Sequence, residues 1–537
     1  MTAVERSDIR RDHKNPDHFQ IALVLAIAFS LVAEFLSGIY ETDIDHEIYF
    51  GQRLFAGELL WTVEYHDKLP VVQWLFAIPA YFESVQVWRV FSLGSCLGAA
   101  WAISTLLPKV SGLQGPWPLR SSHLSLIFVL AMILLPDSIT HFNCVAASFA
   151  VTGILIFCRN PTFGFGFLGA AALAALAISI RPYLLLPILA VAVWFGLRTA
   201  DSVRSRIRPM LRLLFIWAAS IAAFGFFFNA GAYVASGNMA SFWAGIQVLA
   251  QETTPQSAYS ILKAQAHVIR AFPWLTIATT FAVIAWSALA ILAVRRRINQ
   301  LAIIDFFFVA VAFPLLLQLA IFSKHFWDGY MSFVFPFGML AAYFCVAHLE
   351  TVLKESENRK ILHGLMIFGS VLFVIATLPK SLLDTIHAST RKGEHRTDAE
   401  FSFLRNFLTP LTAEERKFLV PSDMYPHWKL RETRRGFPHA ANIDHIAAKS
   451  WWTRVIVPGA LDIPTDYRTL CEKIRTDAPN VVAEWESQPL YACLSSSESG
   501  YMAATDLPLP DKKDRFVIFV KQRPLDPSAA SASDSQK

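Results

Sequence analysis

The chain reads as a polytopic α-helical membrane protein of about eleven transmembrane helices, followed by a mixed α/β domain outside the membrane. Three observations predict this. Apolar runs of about 17–25 residues, long enough to cross a bilayer, recur along the first 380 residues. Of the 537 residues only 17% are charged against 54% hydrophobic, and mean hydropathy is +0.41. A soluble domain of this size carries more charge. Basic residues also alternate between the loops, rich on one side and sparse on the other.

The spans are expected at 20–40, 86–107, 122–136, 141–158, 163–180, 182–198, 211–235, 271–294, 302–322, 329–349 and 361–379. Residues 1–19 are polar and basic, with Arg6, Arg10, Arg11 and Lys14. The stretch from Ile21 to Tyr40 is too long for a signal-peptide core and lacks a clear small-residue cleavage site, so it reads as a retained first span. With a cytoplasmic N-terminus, the inside loops hold Lys109, Arg120, Arg159, Arg198, Arg204, Arg206, Arg208, Arg212, Arg295, Arg296, Arg297, Lys354, Arg359 and Lys360. The short outside loops hold Arg53, Lys68, Lys263, Arg270 and Lys324, with Arg89 and Arg181 near the outer surface. The bias is that of cytoplasmic loops. An odd number of spans then places 380–525 outside. A bacterial inner membrane with a periplasmic tail fits the sparsely charged loops, and no retention signal ends the chain.

The tail contains Trp451, Trp452 and the strand-like "RFVIFVK" from Arg515 to Lys521. Residues 526–537 are small and polar, and disorder is expected there. Six cysteines make no disulfide framework: four lie in or near spans, while Cys471 and Cys493 lie in the tail and can pair if it faces an oxidising compartment. No Walker loop, HExxH or CxxC cluster occurs, and no solenoid repeat. No nucleic-acid partner is expected.

The first outer loop, 41–85, is too long for a simple connector. From Asp43 to Leu59 its pattern is helical, with Ile44, Ile48, Phe55 and Leu59 on one face. Asp45 and Tyr49, four apart, share a neighbouring face. Such a helix is expected to lie along the membrane surface with its apolar side in the lipid boundary. Asp43 and Asp45 then sit where the first span emerges, and acids at a helix start also suit its dipole. A plain N-cap with solvated charges accounts for the same residues. Further on, "YHDKLPVVQW" places Asp67 and Lys68 just before Pro70, a residue suited to a first helical turn. The plainer reading of Lys68 is an interfacial cap that snorkels.

The order of these residues carries a resemblance. A first span is followed by Asp45, Tyr49 four residues on, Gly57, then Tyr65, Asp67, Lys68 and Pro70. This resembles the GT-C membrane glycosyltransferases, and among them the protein O-mannosyltransferases and the bacterial aminoarabinose and related lipid A glycosyltransferases. The early outer-loop acid and the acid-Lys-x-Pro run are specific as a pair; either alone is weak. The resemblance is clearest over 20–110, fainter to about 350, and does not extend to the tail.

The resemblance implies a sugar donor carried on a polyprenyl phosphate, and a lipid, glycan or protein acceptor approaching from outside. It implies that Asp45 takes the acceptor proton, that Lys68 neutralises the phosphate, and that Asp67 orients Lys68 or contacts a sugar hydroxyl or an ion. Direct displacement makes the transfer inverting. One departure is visible: where many relatives have Asp-Glu, this chain has Asp45-His46-Glu47, with Asp43 two residues earlier. Asp45 is preferred on its spacing to Tyr49, and Asp43 stays the rival base.

Further positions fit the same implied donor site. Arg181, in "ISIRPYLLLP", lies between the fifth and sixth spans, where relatives often place a basic residue; a turn with an interfacial anchor reads equally well. Lys324, His325 and Tyr330 precede Pro336 in "SKHFWDGYMSFVFP", where an ordinary aromatic belt is the alternative. Asn143 enters the span after "LLPDSITHF", where some relatives carry a second acid that can help hold a metal. Asp45, Asp137 and His141 offer carboxylate and imidazole to Zn²⁺ or Mn²⁺ without a signature spacing, so a divalent cation is the one cofactor considered. The outer segment 236–270, with Glu252, is expected to be a mobile cover or a plain loop. Glu34 inside the first span has no assigned role. A transporter or lipid flippase is the competing class. It predicts paired halves or broken helices at matching positions, and no such symmetry is visible. An accessory protein that keeps the fold without activity is the third.

Overall fold

The computed structural model describes residues 42–55, 57–63, 68–82, 85–111, 121–134, 141–199 and 203–252, isolated core positions between 304 and 343, and 418–419, 481–485, 489–496, 499–508 and 515–521 of the tail. The expected spans at 20–40, 271–294, 302–322 and 361–379 fall outside the described residues, or nearly so. So do Asp67, Asp137, Lys324, His325 and Tyr330, and the terminal segments 1–19 and 526–537.

The described part of 41–85 is mostly helical. Helix α1 runs Thr42–Phe55, α2 Leu60–Val63 and α3 Val71–Tyr81. α1 stops because Gly57 takes φ +79, while the Gly57 and Glu58 amides return to the Leu54 and Arg53 carbonyls at 3.0 and 3.1 Å. This closure satisfies the last carbonyls and favours glycine at its left-handed position. Leu59 therefore lies beyond α1, not on it as its spacing suggested.

A second correction concerns the apolar face of α1. Ile48 is fully buried, whereas Phe55 is 60% exposed. α1 packs along α3 rather than presenting that whole face to lipid. Gly51 permits this approach, because a Cβ there would run into the backbone of Phe76 and Ala77. Gly51→Ala is expected to force the two helices apart at a cost of about 1–3 kcal/mol, read as a lower thermal midpoint of the purified protein. An unchanged midpoint would refute the close approach.

Next come α4 (Val85–Ser111), α5 (Ser121–Leu134), α6 (Phe142–Arg159), α7 (Phe165–Ile180), a 3₁₀ turn (Pro182–Leu184), α8 (Leu185–Thr199), α9 (Val203–Ser236) and α10 (Met239–Glu252). Among the described residues three stretches, Val87–Val110, Phe142–Arg159 and Ile207–Ser236, are long and apolar enough to cross a membrane. The described part of the chain is thus a mostly helical fold of membrane-protein type. α7 has 16 residues and rises only about 24 Å, short of a typical hydrocarbon core.

α6 lies at the centre, packed on α4 and α7, and α9 packs on α7 and α8. The core is made from small residues on α7 (Ala170, Ala171, Ala174, Ala177) against the aromatics Phe157, Phe167 and Trp217. Phe333, Phe337, Leu340 and Tyr343 are buried in the same cluster, at helical spacing. At one end of the bundle Arg198 Nη1 donates to the Val110 carbonyl, so the last turns of α4 and α8 meet. At the other end α6 starts and α7 stops. Of the segment 236–270, expected to be a mobile cover or a plain loop, residues 239–252 form the helix α10, which docks through Phe242 on Trp61 and Tyr233, and 253–270 lie outside the described residues.

In the tail, β1 (Phe418–Leu419), β2 (Val481–Trp485), β3 (Tyr501–Pro508) and β4 (Arg515–Lys521) form a sheet in the order β1-β2-β4-β3. β1 and β2 are parallel, and β4 is antiparallel to both of its neighbours. The expected strand "RFVIFVK" is β4, with Val517 and Phe519 buried at the period of two that a half-buried strand requires. The short helix α11 (Pro489–Leu494) meets it through Tyr491 and Phe519. Cys493 is disulfide-bonded. The partner considered for it, Cys471, lies outside the described residues, and Cys96, Cys144 and Cys158 are free thiols buried in the bundle.

Candidate functional site

The site is built around the first turn of α6. His141 is its N-cap, with extended backbone and a side-chain Nδ1 that accepts from the Asn143 amide at 3.1 Å. An N-cap acceptor satisfies one of the four amides that a helix start leaves open. The adjoining Phe142 and Asn143 are buried.

Arg181 arrives from the far end of α7. It is the C-cap of that helix, in extended backbone, and the 3₁₀ turn begins at Pro182 directly after it. Proline cannot continue the helix, so the chain turns at this residue. The Arg181 side chain is 8% exposed. Its Nε donates to Asn143 Oδ1 at 2.6 Å, and its guanidinium carbon lies 4.4 Å from the Phe142 ring centroid. Half-buried Lys68, from the turn before α3, brings its ammonium to 5.8 Å from the same centroid.

Two cations from distant parts of the sequence thus share one aromatic ring, at the N-terminal end of a buried helix. Ring quadrupole and helix dipole both act here. Two cations beside a helix start can offer charge-assisted hydrogen bonds to an anionic group.

Four residues singled out in the sequence, Lys68, His141, Asn143 and Arg181, therefore meet at one place. Asp43, Asp45 and Tyr49 lie on α1, with Asp45 and Tyr49 one turn apart, and α1 packs along the helix that Lys68 leads into. The metal reading divides. Among the described residues no three His, Cys, Asp or Glu side chains come together. His141 spends Nδ1 on capping α6, which leaves Nε2 as its only ligand atom, and Asp137 lies outside the described residues.

Several participants were not legible in the sequence. Phe142 looks like one more apolar residue at the start of a span. Gln73 is buried in α3; its Oε1 accepts from the Leu60 amide at 3.0 Å, and its Nε2 donates to the carbonyls of Phe50 and Glu58 at 3.0 and 2.9 Å. It thereby joins α1, the following turn, α2 and α3. Tyr233 of α9 accepts from the Trp61 amide at 3.2 Å, and Asn229, one turn earlier, accepts from the Val71 amide at 3.0 Å. Glu47 is a buried acid on α1. A lone amide in an apolar run, as in "VVQW" or "FFFNAG", is the only signal of Gln73 and Asn229 in the sequence.

Comparison of the chain with protein-family models, with curated proteins and with solved structures finds no match.

Proposed function

We propose that this protein is a membrane glycosyltransferase that moves a sugar from a polyprenyl-phosphate donor to a lipid, glycan or protein acceptor at the outer face of a membrane. The observation that carries the reading is the pairing of Lys68 and Arg181 on Phe142, beside the helix start at Asn143. A leaving phosphate gains negative charge as its bond to the sugar breaks, and preorganised cations in a water-poor site stabilise that charge. The resemblance in the order Asp45, Tyr49, Asp67, Lys68, Pro70 supports the same reading.

In the reaction proposed, the acceptor oxygen attacks the anomeric carbon from the face opposite the phosphate. The bond between that carbon and the phosphate oxygen breaks, and its electron pair leaves with the polyprenyl phosphate. The acceptor proton passes to Asp45, with Asp43 as the rival base, and the product is inverted. Lys68 and Arg181 bind the phosphate, and Asn143 orients Arg181. Lys324, His325 and Tyr330 are proposed to close the donor site. Asp67 is proposed to orient Lys68, and Tyr49 to contact the donor.

The orientation is proposed from charge. Lys109, Arg159, Arg198 and the basic start of α9 all lie at helix ends opposite the one that holds Lys68 and Arg181. Basic loops face the cytoplasm as a rule, and this supports a site on the outer side. The disulfide at Cys493 agrees with an oxidising compartment for the tail, such as a bacterial periplasm.

The test uses purified protein in liposomes with a panel of polyprenyl-phosphate sugars and crude membrane lipids as acceptors. Release of free polyprenyl phosphate is expected with one or more donors. Asp45→Asn is expected to slow it by about 10²–10⁴-fold, with normal expression. No release with any donor from folded protein would overturn the reading in favour of a transporter, a flippase or an accessory protein.

A further inference from the structure

The two cations stand on separate pieces of chain. Lys68 belongs to the turn that leads into α3, and Arg181 to the end of α7. Two cations grip one phosphate together only at a suitable separation. Something has to hold their backbones at a set distance. Phe142 spaces the side chains but ties neither backbone.

Asn229 does tie both. It is buried on α9, a helix that contributes no charge to the site. Its Oδ1 accepts from the Val71 amide at 3.0 Å, three residues after Lys68. Its Nδ2 donates to Ser179 Oγ at 2.8 Å, two residues before Arg181, and to its own helix at the Gly225 carbonyl at 2.8 Å. Local sequence supplies no substitute at α3, because Pro70 occupies the N-cap and has no side chain to accept from the first amide. The cap comes instead from a residue 158 positions away. That same side chain uses both ends of its amide, one on each cation-bearing segment. An amide has the needed acceptor and donors on one rigid plane.

We infer that Asn229 is a positioning residue that sets the separation of Lys68 and Arg181 and thereby their hold on a phosphate. The inference rests on the proposed reading of those two residues as a phosphate-binding pair. Asn229 itself touches neither cation and acts through Val71 and Ser179.

Two measurements on the full chain in nanodiscs test it. The first is independent of any donor. Lys68→Cys and Arg181→Cys are introduced together and treated with bifunctional maleimides of graded length. With Asn229 present, cross-linking is expected to peak sharply at one linker length. With Asn229→Ala added, the peak is expected to broaden over several lengths. The second measures binding of undecaprenyl phosphate without a sugar, on protein that retains both cations. Asn229→Ala is expected to weaken binding about tenfold, the factor that accompanies loss of a buried hydrogen bond. Ser179→Ala, which cuts only the arm toward α7, is expected to weaken it less. Gly153→Ala, a packing change between α6 and α7, serves as a control of similar thermal destabilisation and is expected to leave affinity unchanged.

A sharp linker peak in the Asn229→Ala background overturns the inference. So does a broadened peak with unchanged affinity, or a control that loses as much affinity as Asn229→Ala. A broadened peak in a protein whose intact form does not bind undecaprenyl phosphate leaves the positioning of the two segments standing. That outcome overturns the donor reading instead.

Discussion

Replacing Arg181 by Gln is expected to slow the proposed transfer from a polyprenyl-phosphate donor by about 10²–10³-fold, the loss that follows removal of one preorganised group from developing charge. The reason lies in how Arg181 is held. Its Nε is committed to Asn143, and its plane lies over Phe142. The guanidinium is therefore fixed before a phosphate arrives and costs little ordering when one binds. Arg181→Lys keeps the charge but loses the planar fork, and it is expected to recover only part of the rate.

A sharper variant leaves the arginine in place. Asn143→Asp would put a carboxylate where an amide oxygen now accepts from Arg181 at 2.6 Å. That carboxylate would compete with phosphate for the guanidinium. Donor KM is expected to rise, with thermal stability unchanged or higher. Initial rates over a donor series, with thermal midpoints alongside, measure both. Unchanged KM in Asn143→Asp and full activity in Arg181→Gln would together remove Arg181 from the phosphate site.

Gln73→Leu is expected to be the most destabilising single change within 41–85. The shape is nearly kept, but the buried Leu60 amide and the carbonyls of Phe50 and Glu58 lose the partner they share. The Leu60 amide alone is expected to cost about 1–3 kcal/mol, and the strain falls on the junction of α1, α2 and α3. Limited proteolysis is expected to open within 56–70 before the bundle unfolds, and the thermal midpoint is expected to fall. Wild-type protease resistance in the variant would show that Gln73 does not hold the loop. The same variant bears on function, because α3 carries the turn of Lys68. Loosening it is expected to reduce donor binding even in protein that remains folded.

The helices at 85–111, 142–159, 165–180 and 203–236 were legible because bilayer-length apolar runs and their charged ends are local signals. The apolar spacing carried α1 on to Leu59, past the left-handed Gly57 that ends it. Lys68, Asn143 and Arg181 were legible as unusual residues, because a charge or an amide at a span boundary is costly and stands out.

What the sequence does not contain is which of them meet. Phe142 is one phenylalanine among 43, and only packing places it between two cations. Ile48 and Phe55 share a helical pattern, yet one is buried and the other exposed, because α3 covers part of that face. The N-terminus of α3 has a proline where a cap is needed, and its acceptor comes from α9. Period and composition report how a segment meets its own solvent, so the sequence by itself determined the membrane class, the main helices and the candidate charges. A hydrogen bond between residues 158 apart leaves no period in either segment. The tertiary structure alone decided that Lys68, Asn143 and Arg181 gather at Phe142, and that Gln73 and Asn229 bond to the segments around them.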